Sequence, residues 1–230
     1  MRDLAEVAGE LVAVPLGAVA RWRRGRPLHP RGAVLDAVLD RHGGSPSFGV
    51  PWLDAVRADR VVVRMSRGAG LPAPLPDVLG LAVRLPGGAG SPVDLLLSTA
   101  GRGPLTRRVP VPRRSAAAVY GSIMAYRSAA GPVRLAAFPE RAGIPSEPSP
   151  LAEAAERGAV AFTVAAAVGS GEWRPFAALR VEGAHRPLEP AVRFDAVRHA
   201  PPGLAADGPL ARFREPAYVT ARQVGRPPRS

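Results

Sequence analysis

Short apolar runs, separated by polar, Gly or Pro residues, recur along this chain in the way typical of β-strands. In the first half, the pattern predicts strands bounded by Gly, Pro or charged residues, over 33–40, 59–65, 79–85 and 93–98. In the second half, it predicts strands over 133–138, 159–168, 173–181 and 192–197. A Gly-Ser-Gly turn at 169–171 joins two of them as a hairpin. The short spacing of the strands favours an antiparallel sheet closed into a barrel.

Helices are predicted around and between these strands. Residues 4–22 place apolar side chains near helical spacing, so 1–25 is expected to be an N-terminal helical segment. Residues 115–128 are predicted as a helix with Ser115 at its N-cap, and 145–150 as a loop. A terminal helix is predicted over 209–226. We therefore expect an α+β but mainly β chain, with a single barrel domain over 26–230 that includes the C-terminal helix.

The amino-acid composition excludes several classes of site and partner. The chain has 230 residues, enough for one domain with its own core, and it has no cysteine, which excludes disulfides and thiolate metal sites. The net charge is +12, and every basic residue is an arginine. These arginines are spread along the chain, and only 5% of residues are aromatic, too few for a base-stacking platform. We predict no nucleic-acid partner.

The N-terminal segment bears on where the protein resides. Asp3, Glu6 and Glu10 interrupt its apolar positions, and Pro15 would kink a helix there. A signal peptide or a membrane-spanning helix needs a longer uninterrupted apolar run. We therefore predict a cytoplasmic protein without stable membrane association, and a helix that packs on the domain.

Short motifs of polar residues adjoin the first four strands. Residues 26–33 read Arg-Pro-Leu-His-Pro-Arg-Gly-Ala, and the second strand ends in Val-Arg-Met-Ser at 63–66. Residues 77–84 read Asp-Val-Leu-Gly-Leu-Ala-Val-Arg, and Asp-Leu follows at 94–95. The chain has no G-x-S-x-G elbow, P-loop or H-E-x-x-H sequence, which excludes the usual hydrolase, nucleotide and zinc motifs.

In this order the motifs resemble the N-terminal barrel of haem catalases and their smaller relatives, which carry R-x-x-H-x-[KR]-G-A, V-R-[FM]-S, D-[VP]-x-G-x-A-V-[KR] and D-L. The resemblance covers residues 26–98. Near the C-terminus, Arg214 and Tyr218 resemble the family's R-x-x-x-Y, which implies that Tyr218 ligates the iron of haem b. Residues i and i+4 share one helix face, so Arg214 can hydrogen-bond the phenolate. The alternative is that Tyr218 only packs the helix on the barrel.

The resemblance also implies roles near the first two strands. His29 would be the distal acid and base, and Ser66 would orient its imidazole. Arg26 and Arg64 would pair with the haem propionates, a role suited to permanently charged, bidentate donors. As ordinary alternatives, both arginines would be solvated strand ends.

One departure from the family concerns the distal pocket. Where the family has Gly-Asn-Asn after Asp-Leu, this chain reads Leu-Leu-Ser-Thr at 96–99, so the distal asparagine is missing. Ser98 or Thr99 could donate one hydrogen bond but would not match the reach of an amide. Efficient disproportionation of hydrogen peroxide is therefore not expected.

These observations predict a haem-dependent oxidoreductase that acts on hydrogen peroxide or an organic hydroperoxide and is a weak catalase. A haem enzyme that uses another small oxidant on an organic molecule would share the same residues. A different alternative is a haem-free barrel that serves as a binding or structural module, in one version at a membrane surface through residues 4–22. The sequence leaves the oligomeric state open, a homo-oligomer included.

Overall fold

The computed structural model of the chain describes residues 31–87, 91–185 and 194–206. Within these ranges the elements are mostly strands, with short helices between them. The strands are β1 (Arg31–His42), β2 (Val56–Arg67), β3 (Leu79–Leu85), β4 (Val93–Thr99), β5 (Tyr120–Gly121), β6 (Tyr126–Ser128), β7 (Gly131–Pro139), β8 (Ala161–Val168) and β9 (Arg174–Ala184). The helices are α1 (Pro51–Asp54), α2 (Pro148–Glu156) and a 3₁₀ turn (Thr106–Arg108).

The strands form one antiparallel sheet that closes on itself. Their order is β5-β4-β3-β2-β1-β9-β8-β7-β6, and β5 also pairs with β7. In that pairing Tyr120 lies opposite Ala137, and Gly121 lies opposite Ala136. Eight strands therefore close into a barrel, while β6 extends β7 as a hairpin. The predicted antiparallel barrel is confirmed.

The interior of the barrel is a packed apolar core. Inward-facing side chains alternate along each strand with outward-facing ones, and Leu35, Leu81 and Phe162 are each at most 1% exposed. The rings of Tyr120 and Phe162 pack in a T-shaped pair, with 5.7 Å between the ring centroids. Because side chains fill the interior of the barrel, we expect a functional site on the outer face or at the ends of the strands.

Most strand predictions agree with the structure. The predicted strands 33–40, 59–65, 79–85, 93–98 and 133–138 lie within β1, β2, β3, β4 and β7. The predicted strands 159–168 and 173–181 correspond to β8 and β9, which pair across the predicted hairpin turn. Local apolar runs and the turn residues that bound them were sufficient for these elements.

The helix predicted over 115–128 is wrong. This segment forms β5, β6 and their connections. Gly121 pairs with Ser98 on one side and Ala136 on the other, which closes the barrel. Tyr120 is fully buried in the core, and its hydroxyl donates to the carbonyl of Ala116. Pairing with two distant strands therefore outweighs the local helical spacing.

Two other predictions also need correction. The described part of the strand predicted over 192–197 is a turn, because a carboxylate oxygen of Asp195 accepts the backbone N–H groups of Val197 and Arg198. The loop predicted over 145–150 ends early, since α2 begins at Pro148. Proline suits the first turn of a helix, and Leu151 and Ala155 bury one face of α2.

The predicted helices at 1–25 and 209–226 lie outside the described residues. Within the residues that are described, no helix is long and apolar enough to span a membrane.

Candidate functional site

The residues that the sequence predicts as functional on β2 lie on the outer face of the barrel. Val63 and Met65 point into the core, so Arg64 and Ser66, which alternate with them, point outward. Arg64 lies opposite Val34 of β1 and Ala82 of β3. We call the outward-facing residues of the first four strands the outer wall: Gly32, Val34, Arg64, Ser66, Gly80, Ala82, Leu96 and Ser98.

Arg64, Ser66 and Gly32 are in close contact on the outer wall. Ser66 pairs with Gly32 in the sheet. A Cβ atom on Gly32 would lie 2.8 Å from the Cβ of Ser66 and 3.2 Å from the guanidinium carbon of Arg64. The structure therefore brings the predicted hydroxyl and the predicted cation together, and this position requires a glycine.

Small residues form one row across the outer wall. Ser66 lies between Gly32 and Gly80, and Ser98 lies between Gly80 and Gly121. With adjacent strands about 4.8 Å apart, the backbones at Ser66 and Ser98 are roughly 10 Å apart. The row places small residues between two hydroxyl-bearing ones, and Gly32, Ser66 and Gly80 within it are themselves buried.

The two residues proposed to compensate for the missing asparagine have different environments. Thr99 is fully buried; its hydroxyl accepts the N–H of Leu79 and donates to the carbonyl of Val111 at 2.7 Å. The Thr99 hydroxyl is therefore fully used in hydrogen bonds that join the strand ends. Ser98 lies on the outer wall, in the same row as Ser66, so Ser98 is the better placed of the two.

The other predicted site residues cannot be placed in the structure. Arg26, His29, Arg214 and Tyr218 lie outside the described residues. Of the predicted set, the structure therefore brings together Arg64 and Ser66. The predicted distal base and proximal ligand stay predictions.

The outer wall suits a haem group in its chemistry. Haem is a flat ring that carries two propionate carboxylates, so it needs a flat apolar surface and a cation. Gly32, Gly80 and Ala82 give the surface little height, and Arg64 is a permanent bidentate donor beside them. Ser66 adds a hydroxyl at the same place. The described residues therefore supply one cation and one hydroxyl that could serve a haem propionate, while Tyr218, the predicted iron ligand, lies outside the described residues.

Sequence reasoning missed a polar cluster at the edge of the outer wall. Asp94 of β4 is fully buried, and both of its carboxylate oxygens accept from Arg84, at 2.8 and 2.7 Å. The same carboxylate lies 2.9 Å from Nδ1 of His199 and accepts the N–H of Asp195 at 2.7 Å. The cluster fastens residues 194–206 to the barrel.

These contacts set the protonation of Asp94. Burial opposes its ionisation, but the hydrogen bonds from Arg84, the Asp195 N–H and His199 outweigh it. Together with the charge of Arg84, they hold the pKa of Asp94 below its ordinary value. The hydrogen bond to Asp94 likewise raises the pKa of Arg84. Asp94 is therefore a buried carboxylate that stays charged at neutral pH.

Arg67, the last residue of β2, was also missed. It is fully buried, and its guanidinium donates to the carbonyls of Leu71 and Leu75 and to the hydroxyl of Ser146. Its Nε lies 3.6 Å from a carboxylate oxygen of Glu147. Arg67 therefore ties two chain segments together at the strand ends, directly beside Ser66.

Gly32→Ala is expected to destabilise the barrel by roughly 1–3 kcal/mol. The added Cβ would lie 2.7 Å from the carbonyl oxygen of Met65, so the first two strands must shift apart. Chemical denaturation measures the loss. Gly183→Ala is the matched control in the same sheet, because nothing lies within 4 Å of its added Cβ. Equal free energies of unfolding for the two variants would contradict the close approach of Gly32 to the second strand.

Solved structures of catalases resemble the chain in fold. A fungal catalase matches with a TM-score of 0.64 and 14% identity, over 90% of this chain and 61% of that one. A bacterial catalase matches with a TM-score of 0.62 and 13% identity, over 97% and 60%. Catalase A from Saccharomyces cerevisiae matches with a TM-score of 0.60 and 13% identity, over 90% and 63%.

The chain spans less than two thirds of the length of these catalases. No protein-family model and no curated protein matches its sequence. At 13–14% identity, the likeness shows the fold alone. The closed antiparallel barrel and the catalase structures together establish that this chain has a catalase-like fold.

Proposed function

We propose that the protein is a haem-dependent oxidoreductase that acts on hydrogen peroxide or an organic hydroperoxide. The observation that carries the proposal is the contact of Arg64 and Ser66 with Gly32 on the outer wall. His29 precedes Gly32 by three residues in the sequence. His29 and Gly32 therefore belong to one short motif, the one that the resemblance to catalases rests on.

Each residue of the proposed site has a definite task. His29 accepts a proton from one peroxide oxygen and returns it to the other, and Ser66 holds its imidazole in orientation. Arg64 and Arg26 bind the propionates of haem b. When bound, haem supplies the iron at which the peroxide bond is cleaved.

The proximal side of the proposal rests on two residues near the C-terminus. Tyr218 would hold the iron as a phenolate. A free tyrosine has a pKa near 10, so its anion needs the iron and the Arg214 guanidinium beside it at neutral pH.

The substrate preference follows from the residues at the end of β4. An amide that could hold hydrogen peroxide beside His29 is missing, and Thr99 is committed to Leu79 and Val111. Ser98 supplies at most a single hydroxyl donor on the outer wall. Slow disproportionation of hydrogen peroxide and faster turnover of organic hydroperoxides with a reducing substrate are the expected behaviour.

An absorption spectrum tests the proposal first. Protein expressed with added haem precursor is expected to show a Soret band and the charge-transfer bands of a phenolate-ligated ferric iron. Tyr218→Phe is expected to lose these bands. Tyr120→Phe is the control, because its hydroxyl donates to Ala116 inside the core and its loss leaves the haem ligand intact.

The second part of this test separates bound haem from catalysis. His29→Ala is expected to keep the Soret band while peroxide turnover falls about 10²- to 10⁴-fold, the usual contribution of a positioned acid and base. A wild-type protein that stays colourless after haem titration would overturn the proposal. The fold would then stand as that of a haem-free binding or structural module.

A further inference from the structure

Residues 101–114, which we call the arginine loop, lie in the connection between β4 and β5. The loop contains five arginines and no acidic residue. The sequence on both sides of it is also free of acids, because no aspartate or glutamate occurs from residue 95 to residue 139. This part of the chain therefore carries positive charge only.

Arg107 and Trp173 hold the arginine loop against the β8–β9 hairpin. The guanidinium of Arg107 is buried and donates to the carbonyls of Gly169 and Gly171, at 3.2 and 2.9 Å. The indole N–H of Trp173 donates to the carbonyl of Arg102 at 2.9 Å. These contacts fasten the loop to the hairpin, which gives the exposed side chains of the loop a defined position.

The backbone of the arginine loop is hydrogen-bonded within the loop. The N–H of Gly101 donates to the carbonyl of Thr106 at 3.2 Å, and the N–H of Arg107 donates to the carbonyl of Gly103 at 2.9 Å. The hydroxyl of Thr106 accepts the N–H of Gly103 at 3.1 Å. Pro104 has no N–H group. The loop can therefore enter a poorly hydrated environment without leaving these backbone groups unpaired.

Two apolar side chains of the arginine loop are exposed. Leu105 and Val109 stand on either side of the 3₁₀ turn and are 78% and 44% exposed. Arg102 and Arg108, in the same short segment, are exposed as well. Within the described residues, no carboxylate lies within ion-pair distance of either arginine, that of Glu172 in the adjoining hairpin included. The loop therefore offers both apolar side chains and unneutralised cations to a partner.

We propose that the arginine loop binds reversibly to the surface of a membrane that contains anionic lipids. Leu105 and Val109 would enter the boundary between the headgroups and the acyl chains, where apolar side chains are shielded from water. Arg102 and Arg108 would lie among the anionic headgroups, each contributing about fivefold to the binding constant. The contact is reversible, because one loop buries far less apolar area than a spanning helix.

The choice of a membrane over a nucleic acid or an acidic protein rests on Leu105. The phosphates of a nucleic acid attract arginines but leave an exposed leucine in water. A protein partner needs a pocket shaped for this side chain, whereas a bilayer accepts any apolar side chain at the acyl boundary. The internally hydrogen-bonded backbone of the loop also suits a bilayer, because acyl chains offer no partner to an N–H group.

Co-sedimentation of the full chain with lipid vesicles tests the proposal. Binding to vesicles of phosphatidylcholine and phosphatidylserine is expected to exceed binding to phosphatidylcholine alone, and to weaken as sodium chloride is added. Leu105→Ser is expected to weaken binding about tenfold, and Arg108→Gln about fivefold.

Two variants outside the arginine loop are the matched controls. Val56 is 80% exposed at the start of β2, so Val56→Ser removes an equally exposed apolar side chain. Arg157 is exposed directly after α2, so Arg157→Gln removes the same charge as Arg108→Gln. Both controls are expected to bind the anionic vesicles as the wild type does.

A fluorescent label reports whether the loop enters the bilayer. The chain has no cysteine, so Leu105→Cys introduces a single thiol to which an environment-sensitive dye can be attached. The emission of this dye is expected to shift to shorter wavelength when the anionic vesicles are added. The same dye on Val56→Cys, in an equally exposed position outside the loop, is expected to keep its wavelength.

The proposal is overturned by equal binding to both kinds of vesicle, by equal losses in Leu105→Ser and Val56→Ser, or by a dye on Leu105→Cys whose emission does not shift. Self-association or binding to duplex DNA that is lost in Arg108→Gln, while vesicles stay unbound, would instead assign the loop to a second copy of the chain or to a nucleic acid. Haem takes no part in these measurements, so their outcome is independent of the proposed oxidoreductase.

Discussion

Arg67→Met is expected to lower the free energy of unfolding by about 3–5 kcal/mol, the usual result of removing one member of a buried charged network. Arg67 is fully buried at the end of β2. Its removal leaves the carbonyls of Leu71 and Leu75 without their donor. Each of these hydrogen bonds has a charged donor, and such a bond contributes roughly 1.5–3 kcal/mol. Methionine fills much of the same space, so the loss reports polar contacts rather than a cavity.

Arg60→Met on the same strand is the control for this prediction. Its side chain is 90% exposed, and its nearest carboxylate, that of Glu182, is 3.9 Å away. Exposed ion pairs of this kind contribute at most about 1 kcal/mol. Urea denaturation at pH 7 measures both variants. If Arg67→Met cost no more than Arg60→Met, the buried arginine would not be holding the strand ends together.

The structure explains why the barrel could be predicted from the sequence. Apolar residues recur along strands such as β3, which places Leu79, Leu81, Val83 and Leu85 in the core, and turn residues mark the ends of these strands. Both signals are local. The error at residues 115–128 arose because the decisive contacts are not local: Gly121 pairs with Ser98 and with Ala136. The helical spacing of Tyr120 and its neighbours carries no information about those partners.

The candidate site could be predicted only in part, for a similar reason. Arg64 and Ser66 belong to one short motif, and the structure places them together against Gly32. Arg67 and Arg107 belong to the arginines that are spread along the sequence, yet both are buried. Burial of a charged side chain depends on carbonyls supplied by other segments, which residue type and periodicity do not reveal.

The cluster around Asp94 could not be foreseen from the sequence. Asp94 and His199 are 105 residues apart in the chain. One face of an antiparallel strand is commonly solvated, and Asp94 lies on the outward face of β4. The segment 194–206 instead covers this position. The strand predicted over 192–197 gave no indication of the turn that brings His199 to the carboxylate.

Asp94→Asn is expected to cost about 2–4 kcal/mol at pH 7, because Arg84 loses its bidentate partner while half-buried. The folded pKa of Asp94 is lower than its unfolded value near 3.8. Its ionisation therefore stabilises the fold fully above that unfolded value, and this stability is lost as the pH falls through the folded pKa. The gap between wild type and Asp94→Asn should narrow below about pH 4.

Urea denaturation at pH 7 and at several values below pH 4 measures that gap. Asp40→Asn is the control, because Asp40 is 47% exposed and its partner Arg180 is 3.4 Å away and also exposed. It should cost less than about 1 kcal/mol. A gap for Asp94→Asn that is equally small, or that does not change with pH, would mean that the carboxylate does not secure residues 194–206. A large, acid-sensitive gap would show that one buried charge couples β4 to the segment that leads into the proposed proximal helix.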